Sequence, residues 1–472
     1  MAMGRRKREK QVGLWVETRA LARSPGHPFY ERLNKLLDAE GFDAFVEEQC
    51  SCFYAERMGR PSLAPAVYFR LLLIGYFEGI DSERGIAWRV ADSLTLREFL
   101  GLELSEAPPD HSTISRTRRL IDLESHSEVF AWVLAVVAKN GLLRGQTLGV
   151  DSTTLEANAA LRSIVRRDSG ESYDDFLVRL AQASGIETPT REDLAKIDKS
   201  RKGKGSNDDW NNPHDPDATI TKMKDGRTKL AHKAEHVVDM DSGAVVAVRV
   251  ERAASGDTQT VSGSVEEALE NLQAVLDEPE AAEGLSESLA AELVGDKGYH
   301  ANAVLEYFQD LGIRTYVSEP KRGRRNWKGK PAAKKATYGN RRRMARAKGK
   351  TLQRRRGELL ERGFAHCYET GGMRRTHLRR HGNILKRTLI HVAGFNLGLV
   401  MRKVCGVGKP KALQGRLAAL LEVLLRPLGR RWASWKPLEP LLDLLGRLYA
   451  TRRHSPAPLA RRRCQLTSAT AC

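Results

Sequence analysis

Residues 147–155 read TLGVDSTTL, a stretch in which β-branched and apolar side chains surround a single acid, Asp151. This composition predicts a buried strand, and a buried carboxylate is unfavourable unless positive charge compensates it. The pattern recurs at residues 291–296, AELVGD, where Asp296 follows the apolar run. Functional groups of α/β proteins gather at the carboxyl ends of strands, so the pair suggests a shared divalent cation. Taken singly, each acid is equally compatible with a turn residue or a helix cap.

The segments around these two stretches predict a mixed α/β fold. Strand patterns occupy residues 230–238 and 245–250, and the sequence DSG at 241–243 between them predicts a hairpin turn. A helix at 258–276, a helix at 304–311 and a strand at 313–317 follow. Three strands with a hairpin, then helix, strand, helix and strand, form a mixed sheet whose later strands are joined by crossover helices.

Composition and periodicity divide the chain into five parts. We expect a mobile basic segment at 1–25, a helical domain at 26–122, a mixed α/β core at 140–405, C-terminal helices at 406–450 and a disordered tail at 451–472. Within the core, residues 162–218 form a polar insertion with a short helix at 173–183 and a flexible loop at 199–217. A further helix is predicted at 352–366.

The charge of the chain points to a polyanionic partner. Its formal net charge is +19, and residues 321–357 hold 17 Lys or Arg and no acid. Such a block repels itself unless an anion neutralises it, and a DNA backbone does so with release of counterions. A protein that is merely basic is the alternative reading of the charge.

The compartment is predicted from cysteines and from apolar runs. The six cysteines include no CxxC pair and no zinc-finger spacing, which favours reduced thiols in a cytoplasmic protein. Residues 1–10 are charged with no apolar run after them, so no signal peptide is expected. No run of 18 apolar residues occurs, so no membrane span is expected.

Residues 108–120, PPDHSTISRTRRL, predict a helix that reads DNA. The two prolines end the preceding element, and Asp110 or Ser112 can cap the new helix. Small polar side chains at its start and arginines on one flank are typical of the recognition helix of a helix-turn-helix. A solvated basic helix is the alternative. The predicted DNA contacts are Ser112, Thr113, Arg116, Arg118 and Arg119.

Residues 354–364, RRRGELLERGF, contain two candidates for a third acid, Glu358 and Glu361. Leu360 and Phe364 are spaced i, i+4 and should face the core, with Glu361 beside them and Glu358 one turn earlier. Composition does not choose between the two glutamates, although a surface glutamate paired with arginine describes Glu358 better. Three carboxylates would serve in-line displacement at a phosphodiester, which Mg²⁺ ions assist through oxygen ligands.

These motifs together resemble bacterial insertion-sequence transposases of the DDE class, which have an RNase H-like catalytic core. The resemblance covers residues 26–405, and it implies that 26–122 is a helix-turn-helix-like DNA-binding domain and 140–405 the RNase H-like catalytic core. It rests on RPS at 60–62, DHST at 110–113, GVDST at 149–153, DKGY at 296–299 and ERGF at 361–364. It implies that Asp151, Asp296 and Glu361 are the catalytic and metal-binding residues, with Mg²⁺ as cofactor and Mn²⁺ as a substitute. It also implies double-stranded DNA as partner, at terminal inverted repeats and target sites, and a homo-oligomer on paired ends.

The chain departs from this family at two positions. Many relatives carry a lysine seven residues after the glutamate, where this chain has Tyr368, and an arginine four residues before it, where this chain has Gly357. Arg374 and Arg375 are candidates to replace those contacts. Asp257, which opens a helix, is predicted to be its N-cap. In the basic segment the predicted DNA contacts are Lys321, Arg322, Arg324, Arg325, Arg341, Arg342, Arg343, Arg354, Arg355 and Arg356.

Two other functions are compatible with the same residues. A DNA-binding regulator or an inactive domesticated relative would keep the helical domain and the basic segment, but it would not need three acids. A structure-specific nuclease could use the same core, although a helix-turn-helix suits recognition of defined ends better. Short inverted repeats flanking the gene would favour the transposase over both.

Overall fold

The computed structural model describes residues 26–55, 62–201, 205–223, 225–321, 323 and 325–413. Three of the predicted segments lie outside these ranges: the mobile segment 1–25, the tail 451–472 and nearly all of the C-terminal helices predicted at 406–450. The RPS motif at 60–62 is described only at Ser62. The described residues up to Ala412 belong to one compact unit.

A six-stranded mixed sheet lies at the centre of the described residues. The order β6–β5–β1–β7–β8 runs across it, β5 pairs antiparallel with β1, β4 and β6, and β7 pairs parallel with both β1 and β8. The predicted mixed α/β class is therefore confirmed. The strands are β1 (Thr147–Glu156), β4 (Thr219–Lys222), β5 (Thr228–Asp239), β6 (Val245–Arg252), β7 (Glu292–Gly295) and β8 (Arg314–Val317), and β2 (Val165–Arg166) pairs with β3 (Trp210–Asn211) in a separate ribbon.

Fifteen α-helices in the described ranges surround this sheet. Those before β1 are α1 (Pro28–Ala39), α2 (Phe42–Cys50), α3 (Pro65–Glu78), α4 (Glu83–Ala91), α5 (Leu94–Phe99), α6 (His111–Leu120) and α7 (Leu123–Lys139). Those after β1 are α8 (Tyr173–Ala183), α9 (Arg191–Ser200), α10 (Asp257–Leu276), α11 (Pro279–Ala282), α12 (Asn302–Asp310), α13 (Pro331–Ala345), α14 (Ala347–Phe364) and α15 (His381–Cys405). The predicted helices at 258–276 and 304–311 are confirmed within two residues.

Helix α15 is the axis around which the N-terminal helices pack. It contacts α3 and α7 extensively, and it also reaches β6. By length and composition α15 could cross a membrane, but 83% of its most apolar stretch is buried inside the protein. A helix buried on all sides is apolar all round because every face meets protein, which explains its composition.

The polar insertion folds around a small core of its own. Trp210, Phe176 and Leu177 are buried together with Ile164 and Ala157. Helix α8 has the bounds that its sequence predicts. The flexible loop predicted at 199–217 is wrong in its second half, since Asn212 and Asp215 are fully buried. The carboxylate of Asp215 accepts a hydrogen bond from the main-chain N–H of Arg380, just ahead of α15, at 3.0 Å.

The basic block at 321–357 forms much of α13 and α14, where only a helix from 352 was predicted. Alanine, arginine and lysine favour helix, and acids outside the block neutralise part of its charge. Glu319 pairs with Arg341 at 2.6 Å and with Arg325 at 3.0 Å. Glu292 pairs with Lys348 at 2.6 Å. The protein itself therefore supplies some of the anions that the block requires.

Candidate active site

The first two predicted acids lie side by side on neighbouring strands. In the parallel pairing of β1 with β7, Gly149 is opposite Val294, so two residues further Asp151 and Asp296 stand at the same level. Residues two apart on a strand share a face, and neighbouring strands lie about 4.8 Å apart. Asp296 directly follows Gly295, the last residue of β7. The sheet thus brings the two acids together at the carboxyl end of β7.

The environment of Asp151 is enclosed and charged. Burial raises the pKa of Asp151 above its ordinary value, while the Arg356 guanidinium and the Ser152 main-chain N–H lower it and the Asp296 carboxylate raises it. The Ser152 N–H donates to Asp151 Oδ1 at 2.8 Å. Two neighbouring carboxylates that repel each other provide oxygen ligands of the kind that hard cations require.

Arg356 on α14 holds the second oxygen of Asp151. Its NH1 group lies 2.7 Å from Asp151 Oδ2, and its side chain is only 12% exposed. Its Nε–H is buried without a hydrogen-bond partner among the described residues. The prediction that Arg356 contacts DNA does not agree with this position, because its guanidinium lies inside the site against a carboxylate.

Asp296 caps the short turn Lys297–Tyr299 that follows β7. Its Oδ1 accepts the main-chain N–H of Gly298 at 2.7 Å. A side chain on Gly298 would collide with this arrangement, because an added Cβ would lie 3.0 Å from Asp296 Oδ1 and 2.5 Å from Asp257 Oδ2. The glycine in the DKGY motif therefore leaves room for two carboxylates.

Asp257 is not the cap of α10, as predicted, but its first residue, and Gly256 occupies the cap position. Its Oδ1 instead accepts from Ser152 Oγ at 3.0 Å and lies 3.2 Å from Lys233 Nζ. Sequence reasoning treated this acid as a local cap because it opens a helix. Its actual partners are separated from it by up to 105 residues, and no local pattern identifies them.

A buried ion pair lies behind Asp257 and was missed altogether. Lys233 and Glu235 on β5 are 4% and 0% exposed, and Lys233 Nζ lies 3.5 Å from Glu235 Oε1. Tyr299 donates to the same carboxylate oxygen at 3.0 Å. The signal was two opposite charges at alternate positions of a strand, a pattern that also describes an ordinary solvent-facing surface.

Glu361 lies on α14 and is exposed. Among the described residues, no group of three or more His, Cys, Asp or Glu is arranged to hold a metal ion. Gln353 donates to the carbonyl of Gly295, so its flank of α14 faces the end of β7. At about 100° per residue, Glu361 is about 80° from Gln353 around the helix and Glu358 is about 140° from it. This favours Glu361 over Glu358, whose carboxylate pairs with Arg362.

Helix α6 presents some of its predicted DNA contacts and buries one. Asp110 caps it by accepting the Ser112 N–H at 2.8 Å, which settles the choice between the two predicted caps. Ser112, Arg116 and Arg119 are exposed, and Thr113 is half-buried. Arg118 is buried, and its Nε lies 2.7 Å from Glu83 Oε1. The prediction that Arg118 contacts DNA does not agree with this buried ion pair.

The basic segment divides in the same way. Lys321, Arg342 and Arg354 are exposed. Arg343 donates to the carbonyl of Thr315 at 2.8 Å, and burial lowers the pKa of its guanidinium. The ion pairs of Arg325 and Arg341 with Glu319 are described above, and Arg355 donates to the carbonyl of Asp241 at 2.8 Å. Arg322 and Arg324 lie outside the described residues.

Arg374 and Arg375, the candidates to replace the lysine that this chain lacks, both lie near carboxylates of the protein. Arg374 NH1 donates to Thr153 Oγ1 on β1 at 2.9 Å, and its guanidinium pairs with Glu369. Arg375 remains 60% exposed, with Nε 3.9 Å from Glu156. Tyr368 is fully buried, and its hydroxyl lies 2.6 Å from His236 Nε2. Arg375 is thus the freer of the two arginines.

Comparison with known protein families places residues 18–120 in a match to a transposase domain (DUF772). The matched segment covers less than half of the chain and ends at Leu120, the last residue of α6. It supports a transposase, and the two aspartates and α14 all follow it in the chain. The chain matches no curated protein and no solved structure.

Proposed function

We propose that this protein is a DDE transposase that binds the ends of its insertion sequence, cleaves them and joins the 3′ ends to target DNA. The observation that carries the proposal is the placement of Asp151 on β1 level with Asp296, which directly follows the parallel neighbour β7. The transposase domain matched at 18–120 supports it from the other end of the chain. The net charge of +19 supports a nucleic-acid partner.

The sheet order supports an RNase H-like core as part of this proposal. The chain enters at β1, adds an antiparallel hairpin of β5 and β6 on one side, and crosses by α10 to β7 on the other. The resulting order, β6–β5–β1–β7–β8, places the first strand at the centre. In such an open α/β sheet, ligands bind outside the carboxyl ends of the strands, which is where Asp296 lies.

The donor set suits Mg²⁺, which in proteins is usually held by one or two carboxylates together with water and phosphate oxygens. Asp151 and Asp296 would hold it, and Glu361 is proposed as the third ligand. A bound divalent cation would activate the attacking water or 3′-hydroxyl and stabilise the leaving oxygen. The protein contributes the strand that carries Asp151, the turn after β7 that carries Asp296, and partial exclusion of water from Asp151.

The exposed residues of α6 and of the basic segment are proposed to bind DNA. Arg116 and Arg119 would contact phosphates or base edges at the transposon ends, and Ser112, at the start of the same helix, would add a further contact. Lys321, Arg342 and Arg354 would add affinity that does not depend on sequence. Synapsis of two ends would require two or more copies of the chain.

One observation favours a second candidate, a DNA-binding protein without catalytic activity. The ion pair of Arg356 with Asp151 occupies one oxygen of the first carboxylate. A protein that never loads a cation could keep this pair permanently. The same nicking assay separates the two functions, because the second candidate predicts DNA binding without cleavage.

The test is metal-dependent nicking of supercoiled plasmid carrying the flanking ends, with Mg²⁺ or Mn²⁺. Asp151→Asn, Asp296→Asn and Glu361→Gln should each reduce nicking by about 100-fold or more, which corresponds to about 3 kcal/mol of lost transition-state stabilisation. Glu358→Gln is the matched control, one turn away on the same helix. Gel shifts establish that every variant still binds DNA.

Each outcome is informative. Loss of nicking with Glu358→Gln but not Glu361→Gln would move the third ligand by one turn. Wild-type protein that binds the ends but cleaves no plasmid in either metal would refute the proposed activity and favour the second candidate. Nicking that survives Asp151→Asn would show that the activity does not depend on this carboxylate.

A further inference from the structure

The carboxylate of Asp257 fills the space beyond the end of β7. The ladder between β1 and β7 ends at the pair of Gly149 and Val294, so among the described residues Asp151 has no strand partner on that side. There Asp257 Oδ1 accepts from Ser152 Oγ at 3.0 Å. Its Oδ2 packs against Gly298, where an added Cβ would approach to 2.5 Å. One side chain thus touches both motifs of the candidate site.

A buried cation fixes the orientation of this carboxylate. Lys233 Nζ lies 3.2 Å from Asp257 Oδ1 and donates to Thr260 Oγ1 at 2.8 Å. Thr260 in turn donates to Glu235 at 2.9 Å, and Ser264 donates to the other oxygen of Glu235 at 2.5 Å. A buried charge without a partner is strongly destabilising, so each member of the network constrains its neighbours.

We propose that Lys233 and Asp257 are positioning residues that set the separation of Asp151 and Asp296. The inference rests on the proposed function, since that separation matters only if the two acids share a cation. Neither residue need touch DNA or metal. Lys233 holds Asp257, and Asp257 holds Ser152 next to the first acid and lies against Gly298, two residues after the second.

The physical basis is the missing strand neighbour. On its other side β1 is paired with β5 through Asp151 and beyond, so one edge of the first acid is already fixed. On the β7 side the ladder stops before Asp151, and main-chain pairing resumes only at Glu156, which bridges to Arg375. Between these two points side chains make the contacts, and Asp257 touches both Ser152 on β1 and Gly298 in the turn after β7. Groups that orient metal ligands typically change metal affinity or activity by about 10- to 100-fold when removed.

The experiment compares Lys233→Met, Asp257→Ala and the double variant in the full chain. Lys229→Met is the matched control, because Lys229 lies on the same strand with the same parity and pairs with Glu156 at 2.6 Å, outside the network. Binding of Mn²⁺ to DNA-free protein is measured by electron paramagnetic resonance, and plasmid nicking, DNA affinity and melting temperature are measured beside it.

We expect Lys233→Met and Asp257→Ala each to weaken Mn²⁺ binding by about 10-fold or more and to slow nicking in proportion. DNA affinity and the control variant should remain unchanged. The double variant should be no worse than either single variant, because the two residues act through one contact. Lys233→Arg should recover part of the Mn²⁺ affinity, since it restores the charge. Asp257→Asn, which keeps the shape of the side chain, supplies the same comparison if Lys233→Met does not fold.

Four results would overturn the inference. A lower melting temperature with unchanged Mn²⁺ binding and nicking would reduce the pair to a structural role. Effects that multiply in the double variant would show that the residues act separately. If Asp151→Asn abolishes Mn²⁺ binding and Lys233→Met leaves it intact, the positioning role alone fails. Wild-type protein that neither binds Mn²⁺ nor nicks DNA overturns the proposed function and this inference together.

Discussion

Replacing Arg118 by methionine removes a buried guanidinium that the structure ties to three partners. Its Nε donates to Glu83 at 2.7 Å, its NH1 to Asn383 at 2.8 Å and its NH2 to Ser115 at 3.1 Å. The side chains of Arg118 and Glu83 are 7% and 15% exposed. Breaking a buried ion pair by removing one partner costs about 3–5 kcal/mol, and the residual exposure of Glu83 places the expected loss near about 3 kcal/mol.

The loss should appear as a lower melting temperature. At an unfolding entropy of about 2.1 cal/mol/K per residue, about 3 kcal/mol corresponds to about 4 °C for a unit of this size. Calorimetry or circular dichroism measures the change. Adding Glu83→Leu to Arg118→Met should recover most of it, because no buried charge is then left without a partner.

DNA binding provides the contrast. Arg116 is exposed on the same helix, so Arg116→Ala should weaken end-specific binding in gel shifts and leave the melting temperature unchanged. Arg118→Met, assayed well below its melting temperature, should bind the ends as the wild type does. If Arg118→Met instead melted with the wild type and lost end binding, Arg118 would be a DNA contact and the argument from burial would be refuted.

Four further substitutions test the site and its surroundings. Gly298→Ala should abolish nicking and cost about 1–3 kcal/mol of stability by overpacking between the two carboxylates. Gly357→Ala, which has open space around it, should instead stabilise α14 by up to about 1 kcal/mol. Thermal melts and nicking assays of both variants test this contrast. Arg356→Gln removes a cation that lowers the pKa of Asp151, so the pH midpoint of Mn²⁺ binding should move upward, and a downward or absent shift would contradict the pairing. Burial raises the pKa of Glu267 to about 7. Between its ordinary pKa and 7 the unfolded state loses a proton that the folded state keeps, so stability falls over this range and the full penalty is present above 7. Glu267→Gln should therefore raise the melting temperature at pH 8 and not at pH 4.

The elements that periodicity could predict were those with strong local signals. Strand β6 begins at Val245 and α8 runs from Tyr173 to Ala183, in agreement with the apolar spacing of each. The predicted hairpin turn is present, with Asp239 Oδ2 accepting the Ser242 N–H at 3.0 Å. Such features depend on residues a few positions apart, so a single sequence contains what is needed to predict them.

The insertion and the basic segment were predicted less well, for opposite reasons. Polar composition suggested a flexible loop at 199–217, but a few apolar residues with Trp210 at their centre are enough for a small core. Positive composition suggested a block that DNA neutralises, but Glu319, just before the block, and Glu292 on β7 neutralise part of it. The core of the insertion is assembled from residues spread along it, and the acids that neutralise the basic block lie outside it.

Sequence alone determined the mixed α/β order, the basic character and the two aspartates that lie at the same level, one on β1 and one directly after β7. It could do so because buried strands, turns and charge blocks are local patterns. The tertiary structure decided which charged side chains face inward. Arg118 meets an amide 265 residues away, and Arg356 meets Asp151 across 205 residues. Pairing of buried charges depends on which elements the fold brings into contact, and that depends on the packing of the whole chain.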